Sequence, residues 1–247
     1  MNFDINPHIS VDIVVFGFDQ KDGLKVLLIN RDKNDINSSQ TSKKLKLPGG
    51  LIGKNEFLND SARRILEEFT GLKNIFLKQF GVFDNPYRLK NGDDLKWLKQ
   101  TTNIEIERVI TIAYYSLLNL EKYSLTELSK SYNARWYAIN EIPELIFDHN
   151  EIIEKGLHTL RKEFLIEPLC FELLSDKFTI NQLQKLTENI LQTSFDNRNF
   201  RKKILQLQYI EPLNDWQKNV NHKPARYYVF NKDKFLKQKE EVLSFII

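Results

Sequence analysis

The feature that most constrains this chain is a set of fixed spacings between residues 48 and 72. Pro48-Gly49-Gly50 is followed by Glu56, then Arg64, then Glu68, and the register closes on Gly71-Leu72. Pro and Gly in succession predict a loop, and the segment from about Asp60 to Phe69 predicts a helix ended by Gly71 in a left-handed cap. Side chains at i, i+3 and i+4 on such a helix share one face, so this loop-helix-loop aims a small group of residues at a common point.

Strands are expected around it. The runs Ile9 to Phe18 and Leu24 to Ile29 are β-branched and apolar, and Asp19-Gln-Lys-Asp-Gly23 between them predicts a turn and an antiparallel hairpin. Asp32 to Lys44 is polar and predicts a surface loop. Further strands are expected near Phe76 to Phe83, Val109 to Leu118 and Ala134 to Ile139, with a helix from Glu151 to Phe164 whose Ile152, Ile153, Leu157 and Leu160 share one side. Asp84 to Glu107 is polar and reads as an irregular connection, a length that inside a compact domain points to function or to disorder. Trp97 within it suggests packing.

The spacing from Gly50 to Leu72 resembles the Nudix box: Gly, five residues, Glu, seven residues, Arg-Glu, an aliphatic, any residue, Glu-Glu, any residue, Gly, aliphatic. The resemblance implies an α/β/α sandwich around a mixed sheet, with a ligand cleft above the box helix. It also implies three carboxylates on one helix face that hold Mg²⁺ against a diphosphate. Here those positions are Ile65, Glu68 and Phe69. Two of the three have no oxygen, so Glu56 and Glu68 remain only as weak metal candidates. Glu56 with Arg64 reads as a structural ion pair. The expectation is a domain without pyrophosphohydrolase activity and without a cofactor, retained for binding. The competing reading is an active Nudix pyrophosphohydrolase with an accessory C-terminal domain, which needs Glu56, Glu67 and Glu68 to assemble a metal site.

The C-terminal third reads differently. Thr179 to Gln182 forms a capping box ahead of a helix with Leu183, Leu186 and Ile190 on one face. After a short turn, Asp196 can cap a second helix from Asn197 to Leu207. Phe200, Ile204 and Leu207 fall on its buried side, with Arg198, Asn199, Arg201 and Lys202 elsewhere. Helix, turn and basic helix is the helix-turn-helix pattern. Two further strand segments follow, Tyr209 to Pro212 and, after a polar loop to Asn221, His222 to Phe230; strand, basic loop and strand predict a wing on which Lys218, His222, Lys223 and Arg226 could reach phosphates. Charge agrees in sign: residues 161–247 hold 15 Lys+Arg against 11 Asp+Glu, in a chain of net charge +3. A winged helix that binds protein instead remains a third reading.

Taken together, the chain resembles the Nudix-related transcriptional regulators, a Nudix-like effector domain followed by a winged helix-turn-helix. Within that group it is similar to the branch of arabinose-responsive repressors of sugar use. The likeness runs through Gly81-Val82-Phe83, Glu107-Arg108-Val109, Ile112-Ala113-Tyr114-Tyr115, Ile146-Phe147-Asp148-His149, Ile166-Glu167-Pro168 and Arg198-Asn199-Phe200-Arg201-Lys202. It implies domains at 1–160 and 161–247, a homodimer on palindromic double-stranded operator DNA, and a small-molecule effector, a pentose or ADP-ribose. Asp84, Tyr87, Arg88 and Arg108 are candidate effector contacts. The single cysteine, Cys170, permits no internal disulfide, and neither a secretory signal nor an apolar span is seen, so a soluble, cytoplasmic protein that binds no membrane is expected.

Overall fold

The structure, a computed structural model, describes residues 4–31, 45–89, 91–123, 133–164, 166–221 and 223–246. The predicted loop of residues 32–44 and His222 therefore lie outside the described residues. The chain divides into two compact units, Met1–Leu165 and Ile166–Ile247. The division falls after the helix that runs to Phe164, a few residues beyond the boundary read from the sequence.

In the first unit the central strand is β1 (Ile5–Asp19), followed by β2 (Gly23–Asn30), β3 (Leu45–Lys46) and β4 (Gly49–Gly53). The expected hairpin is present, with Phe16 opposite Val26 and Asp19 opposite Gly23. Its turn is tied by Asp19, whose Oδ1 accepts from the backbone N–H of Lys21 at 2.9 Å and of Asp22 at 2.6 Å. Then come α1 (Leu58–Thr70), β5 (Leu77–Phe83), α2 (Gly92–Thr102), β6 (Ile110–Asn119), β7 (Arg135–Ala138) and α3 (His149–Phe164).

The sheet is mixed. Its strands run β3-β2-β1-β6-β5, with β4 paired to the N-terminal part of β1 and β7 to β2. Among the described residues only β1 and β6 pair in parallel, in register from Ile9–Ile110 to Phe18–Asn119. Val11 and Ile13 to Phe16 are all fully buried, which explains why β1 reads as a continuous apolar run: both of its faces are covered. Ala62, Ile65, Leu66 and Phe69 of α1 join Val11, Ile13 and Val15 in one core cluster. On the opposite face α3 comes so close at Gly156 that a Cβ there would stand 3.3 Å from Val14 and 3.2 Å from Phe80.

The segment Asp84 to Glu107 departs from its expected irregularity, because α2 forms inside it. Asn91 caps the start by accepting from the Asp93 N–H, and Asn103 ends it in a left-handed turn at φ 54°. Its apolar content is thin, Leu95 and Leu98 packing on a small cluster of Leu89, Ile106 and Val109. Tertiary burial, more than periodicity, therefore holds this helix, and a pattern search has little to find.

The second unit contains α4 (Cys170–Leu173), β8 (Lys177–Phe178), α5 (Ile180–Leu191), α6 (Asn197–Ile204), β9 (Ile210–Trp216), β10 (Arg226–Phe230) and α7 (Lys232–Ile246). The three strands order as β8-β10-β9, both pairs antiparallel. Phe171 stacks on Phe230 at 3.9 Å and lies 5.5 Å from Phe178, an aromatic core joining α4 to the sheet. Cys170 is half-buried and its thiol is pushed up by burial, which marks it as inert packing. The second helix is shorter than read, ending at Ile204 instead of Leu207, because Leu205 to Leu207 turn back under 3.1 Å hydrogen bonds from Gln206 to Lys203 and from Leu207 to Ile204.

Candidate functional site

The box helix α1 begins after Phe57 and ends at Gly71, whose φ of 70° and N–H bond to the Glu67 carbonyl complete the left-handed cap. Before it, the Glu56 carboxylate collects four donors. Arg64 grips it in a bidentate pair, Nε to Oε1 and Nη2 to Oε2 both at 2.8 Å, the Gly53 N–H donates at 3.0 Å, and the Ser61 hydroxyl completes the set. Arg64 and these hydrogen bonds, acting against burial, hold Glu56 at about 2. The pair braces the loop against the helix, as the spacing suggested.

Ile65 and Phe69 belong to the core cluster, and with Glu68 and Arg64 they floor a cleft of about 500 Å³. The cleft is also lined by Arg31, Lys46, Gly49 to Leu51, and Trp97, Leu98, Thr101 and Thr102 of α2. A divalent cation does not fit this donor set. Two of the three box positions are hydrocarbon, and both oxygens of Glu56 are already taken. No cluster of three or more His, Cys, Asp or Glu able to hold a metal occurs among the described residues. A fixed cation is present instead: the Lys46 Nζ lies 5.3 Å from the centroid of the Phe69 ring and donates to the carbonyls of Gly49 at 3.0 Å and Leu47 at 3.1 Å. Burial lowers this ammonium to about 8, against the favourable fields of Asp12 and Glu68.

Beside the cleft, and sharing with it Lys46, Gly49 to Leu51, Trp97 and Leu98, lies a small, half-open pocket of about 70 Å³. Its polar wall is made by Ser10, Asp12, Arg88 and His149 and its apolar wall by Leu89, Trp97, Leu98, Val109 and Phe147. Asp12 accepts from Thr111 at 2.8 Å, and Arg88 reaches Asp148 at 2.7 Å and Asp12 at 3.6 Å. Burial works against the Asp12 charge, but the Arg88 and Lys46 charges and the Thr111 hydrogen bond draw Asp12 below its ordinary value. His149 takes the Leu47 N–H on Nδ1 at 3.0 Å, so that nitrogen is an acceptor and the ring is neutral. Burial agrees, lowering His149 to about 4. Phe147, next to both, has φ 55°, a left-handed conformation that costs a bulky residue energy and tends to occur at functional sites.

Of the four effector candidates, Arg88 alone lines this pocket. Arg108 donates to the Asp84 carbonyl at 3.2 Å on the surface, and Tyr87 is 62% exposed beside a separate polar groove. Asp12, Lys46, Trp97 and His149 were missed by sequence reasoning. A signal existed for Asp12, a charge inside the apolar run of β1.

In the second unit the capping box at Thr179 makes both bonds, with Gln182 Oε1 accepting from the Thr179 N–H at 2.8 Å and Thr179 Oγ1 from the Gln182 N–H at 3.2 Å. The buried Gln184 then fixes the turn by donating to the Phe195 carbonyl at 3.0 Å and Asn197 at 2.7 Å. Asp196 caps α6, and Phe200 anchors it, so Arg198, Asn199, Arg201 and Lys202 are all exposed. Lys218 and Lys223 are exposed on the loop between β9 and β10. Arg226 sits at the base of that loop with its Nε donating to the Leu213 carbonyl at 2.6 Å and its guanidinium 5.5 Å from the Trp216 ring centroid. It shapes the wing from within.

Residues 6–158 match the family model of the NUDIX domain, and the chain belongs to the Nudix family, here with a mixed-sheet α/β fold followed by a winged helix domain. Residues 170–230 match the NrtR DNA-binding winged helix domain. The "ADPR responsive transcriptional repressor NtrR" of Acinetobacter baylyi is 27% identical over 229 residues, 91% of this chain and 82% of that protein. An ADP-ribose pyrophosphatase of Methanocaldococcus jannaschii is 27% identical over 150 residues, 61% of this chain and 73% of that protein. The crystal structure of Shewanella oneidensis NrtR complexed with a 27mer DNA superposes with a TM-score of 0.69 at 22% identity, covering 92% of this chain and 94% of that one. No helix among the described residues is long and apolar enough to cross a membrane.

Proposed function

We propose that this protein is a transcriptional repressor in which the winged helix binds double-stranded operator DNA and the Nudix domain, without hydrolysing it, binds a pentose-bearing effector. The observation that carries the reading is α6, whose exposed Arg198, Asn199, Arg201 and Lys202 project from a helix-turn-helix within the segment that matches a DNA-binding winged helix. The A. baylyi repressor, similar along nearly the whole chain, favours ADP-ribose. A free pentose, and with it control of carbohydrate use, is the second reading. It rests on the likeness of segments such as Ile146-Phe147-Asp148-His149 to the sugar-responsive branch. The functional form is a homodimer on a two-fold operator.

Loss of the catalytic face at Ile65 and Phe69 supports a binding role. The test is fluorescence anisotropy with DNA from upstream of the protein's own and neighbouring operons, with and without pentoses and ADP-ribose. Specific binding, steeply weakened by salt as phosphate contacts require and released by one compound, is the expected result. Absence of specific binding together with Mg²⁺-dependent turnover of ADP-ribose would overturn it.

A further inference from the structure

We infer that Trp216, at the base of the wing, touches DNA: its indole packs on the deoxyribose of the backbone and the Nη groups of Arg226 take the phosphate beside it, a grip that is blind to sequence. This rests on the proposed role of the winged helix in binding double-stranded DNA and adds an apolar anchor to its basic surface.

Tryptophan carries a large apolar surface that is unfavourable to leave in water. Trp216 ends β9 and is 44% exposed, although Phe171, Phe178 and Phe230 of the same unit are gathered into a core. The ring is nevertheless held in place. Arg226 lies opposite it across the β9–β10 pair, with the guanidinium 5.5 Å from the ring centroid, and the Arg226 Nε is fixed by the Leu213 carbonyl at 2.6 Å. Just beyond, Gln217 closes the wing by donating its N–H to the Ala225 carbonyl at 2.9 Å. A braced hairpin thus presents the indole with little rotamer freedom left to lose on binding. The Nη1 and Nη2 groups of Arg226 stand beside it with no partner among the described residues.

Charge around the ring suits a phosphate backbone. The acids of the hairpin from Tyr209 to Phe230 are Glu211 and Asp215, and both are paired, Asp215 with Lys177 and Glu211 with Lys234, each at 2.7 Å. The same hairpin carries Lys218, Lys223 and Arg226, so the indole sits in a positive stretch of chain. A duplex offers the complementary surface, deoxyribose C–H groups set between phosphates, and offers it whatever the base sequence. An apolar protein face would suit the indole alone, because it would desolvate Lys218 and the Arg226 Nη groups without supplying acceptors. Sugar and phosphate carry no sequence information, so Trp216 contributes affinity. Discrimination falls to α6, where the exposed Arg198 and Asn199 are of the types that read base edges.

The test is fluorescence anisotropy of the full chain, over a range of salt, with a duplex from upstream of its own operon and an unrelated duplex of equal length. Trp216→Ala weakens binding to both by about 10-fold, the loss expected when roughly half of the exposed indole is returned to water, and the ratio of the two affinities is kept. The slope of log affinity against log salt stays that of the parent, because an uncharged contact releases no counterion. A second readout guards against a folding defect in that variant: with fluorotryptophan at all three tryptophans, the fluorine NMR signal that Trp216→Phe removes shifts when either duplex is added. Parent-like affinity in a folded Trp216→Ala, or a Trp216 signal that does not move, overturns the contact. A loss confined to the upstream duplex makes Trp216 a reader of bases and overturns the sequence-blind role. A salt slope reduced by about 0.9 means that the ring acts only by holding Arg226 against a phosphate, and overturns the indole's own contact. If the parent prefers neither duplex, the repressor reading fails, while the fluorine shift on the unrelated duplex still decides whether Trp216 touches DNA.

Discussion

Replacing Glu56 by Gln separates a structural box from a catalytic one. In the structure the Glu56 carboxylate accepts from Arg64 twice, from Gly53 and from Ser61, and it is held at about 2 where 4.5 is ordinary. At 1.36 kcal/mol per pKa unit that depression bounds the contribution at about 3.4 kcal/mol. Arg64 keeps 34% of its side chain in solvent, and screening reduces the figure to about 1.5–2 kcal/mol. The sign follows from the depressed value: the stabilisation is complete above pH 4.5 and is lost as pH falls towards about 2. Glu56→Gln is therefore expected to lower the melting temperature of the first unit by about 3–8 °C at pH 7, with the gap from the parent shrinking to less than half at pH 3. Thermal unfolding followed by Trp97 and Trp136 fluorescence in a Trp216→Phe background measures it. Equal stability at pH 7, together with loss of a Mg²⁺-dependent activity, would refute the structural role and restore Glu56 to a metal site.

Three further outcomes follow from the same geometry. Gly49→Ala should destabilise the first unit by at least about 2 kcal/mol in urea unfolding, because its Cβ would stand 1.9 Å from Asp12 Oδ1 and 2.8 Å from the Val11 carbonyl; parent-like stability would contradict the packing. Arg201→Ala and Lys202→Ala should each weaken operator binding and reduce the slope of log affinity against log salt by about 0.9, as loss of one phosphate contact requires; unchanged slopes would remove these residues from the DNA interface. His149 is held at about 4 from 6.5, so it favours folding above pH 6.5 and opposes it as pH falls towards 4. His149→Gln, which can still accept from the Leu47 N–H, should flatten the pH dependence of stability in that window.

What could be read in advance was what depends on neighbours in sequence. The hairpin at Asp19 to Gly23 is turn chemistry, Gly71 is a left-handed cap, and Thr179 with Gln182 is a reciprocal pair three residues apart; each forms where its spacing places it. The inner pocket could not be read in this way. Asp12, Lys46, Arg88, Trp97 and His149 come from five separate segments, which only the pairing of β1, β2 and β3 and the packing of the segments that carry Arg88, Trp97 and His149 bring together. Arg226 shows what position in sequence leaves out: at the base of the wing its Nε is given to the Leu213 carbonyl, which leaves only its Nη donors for a partner. Composition reports that a cation is present and says nothing about which of its donors the fold already uses.

On the proposed binding reading, the box helix keeps its frame without its metal-binding face. Glu56, Arg64 and Gly71 hold the loop and helix in place, whatever the cleft contains. Ile65 and Phe69 face the core and the cleft at once, and once hydrocarbon occupies those positions the carboxylate charge they would have carried is gone. A divalent cation would then face too few ligands to offset its dehydration. The buried ammonium of Lys46 provides one positive charge beside Glu68 and Phe69 without any exchangeable ion, while Arg88 and its two aspartates form a fixed polar chamber behind it. A metal-bound water would supply a nucleophile. An ammonium supplies none, and this arrangement is suited to holding a ligand long enough to report its presence.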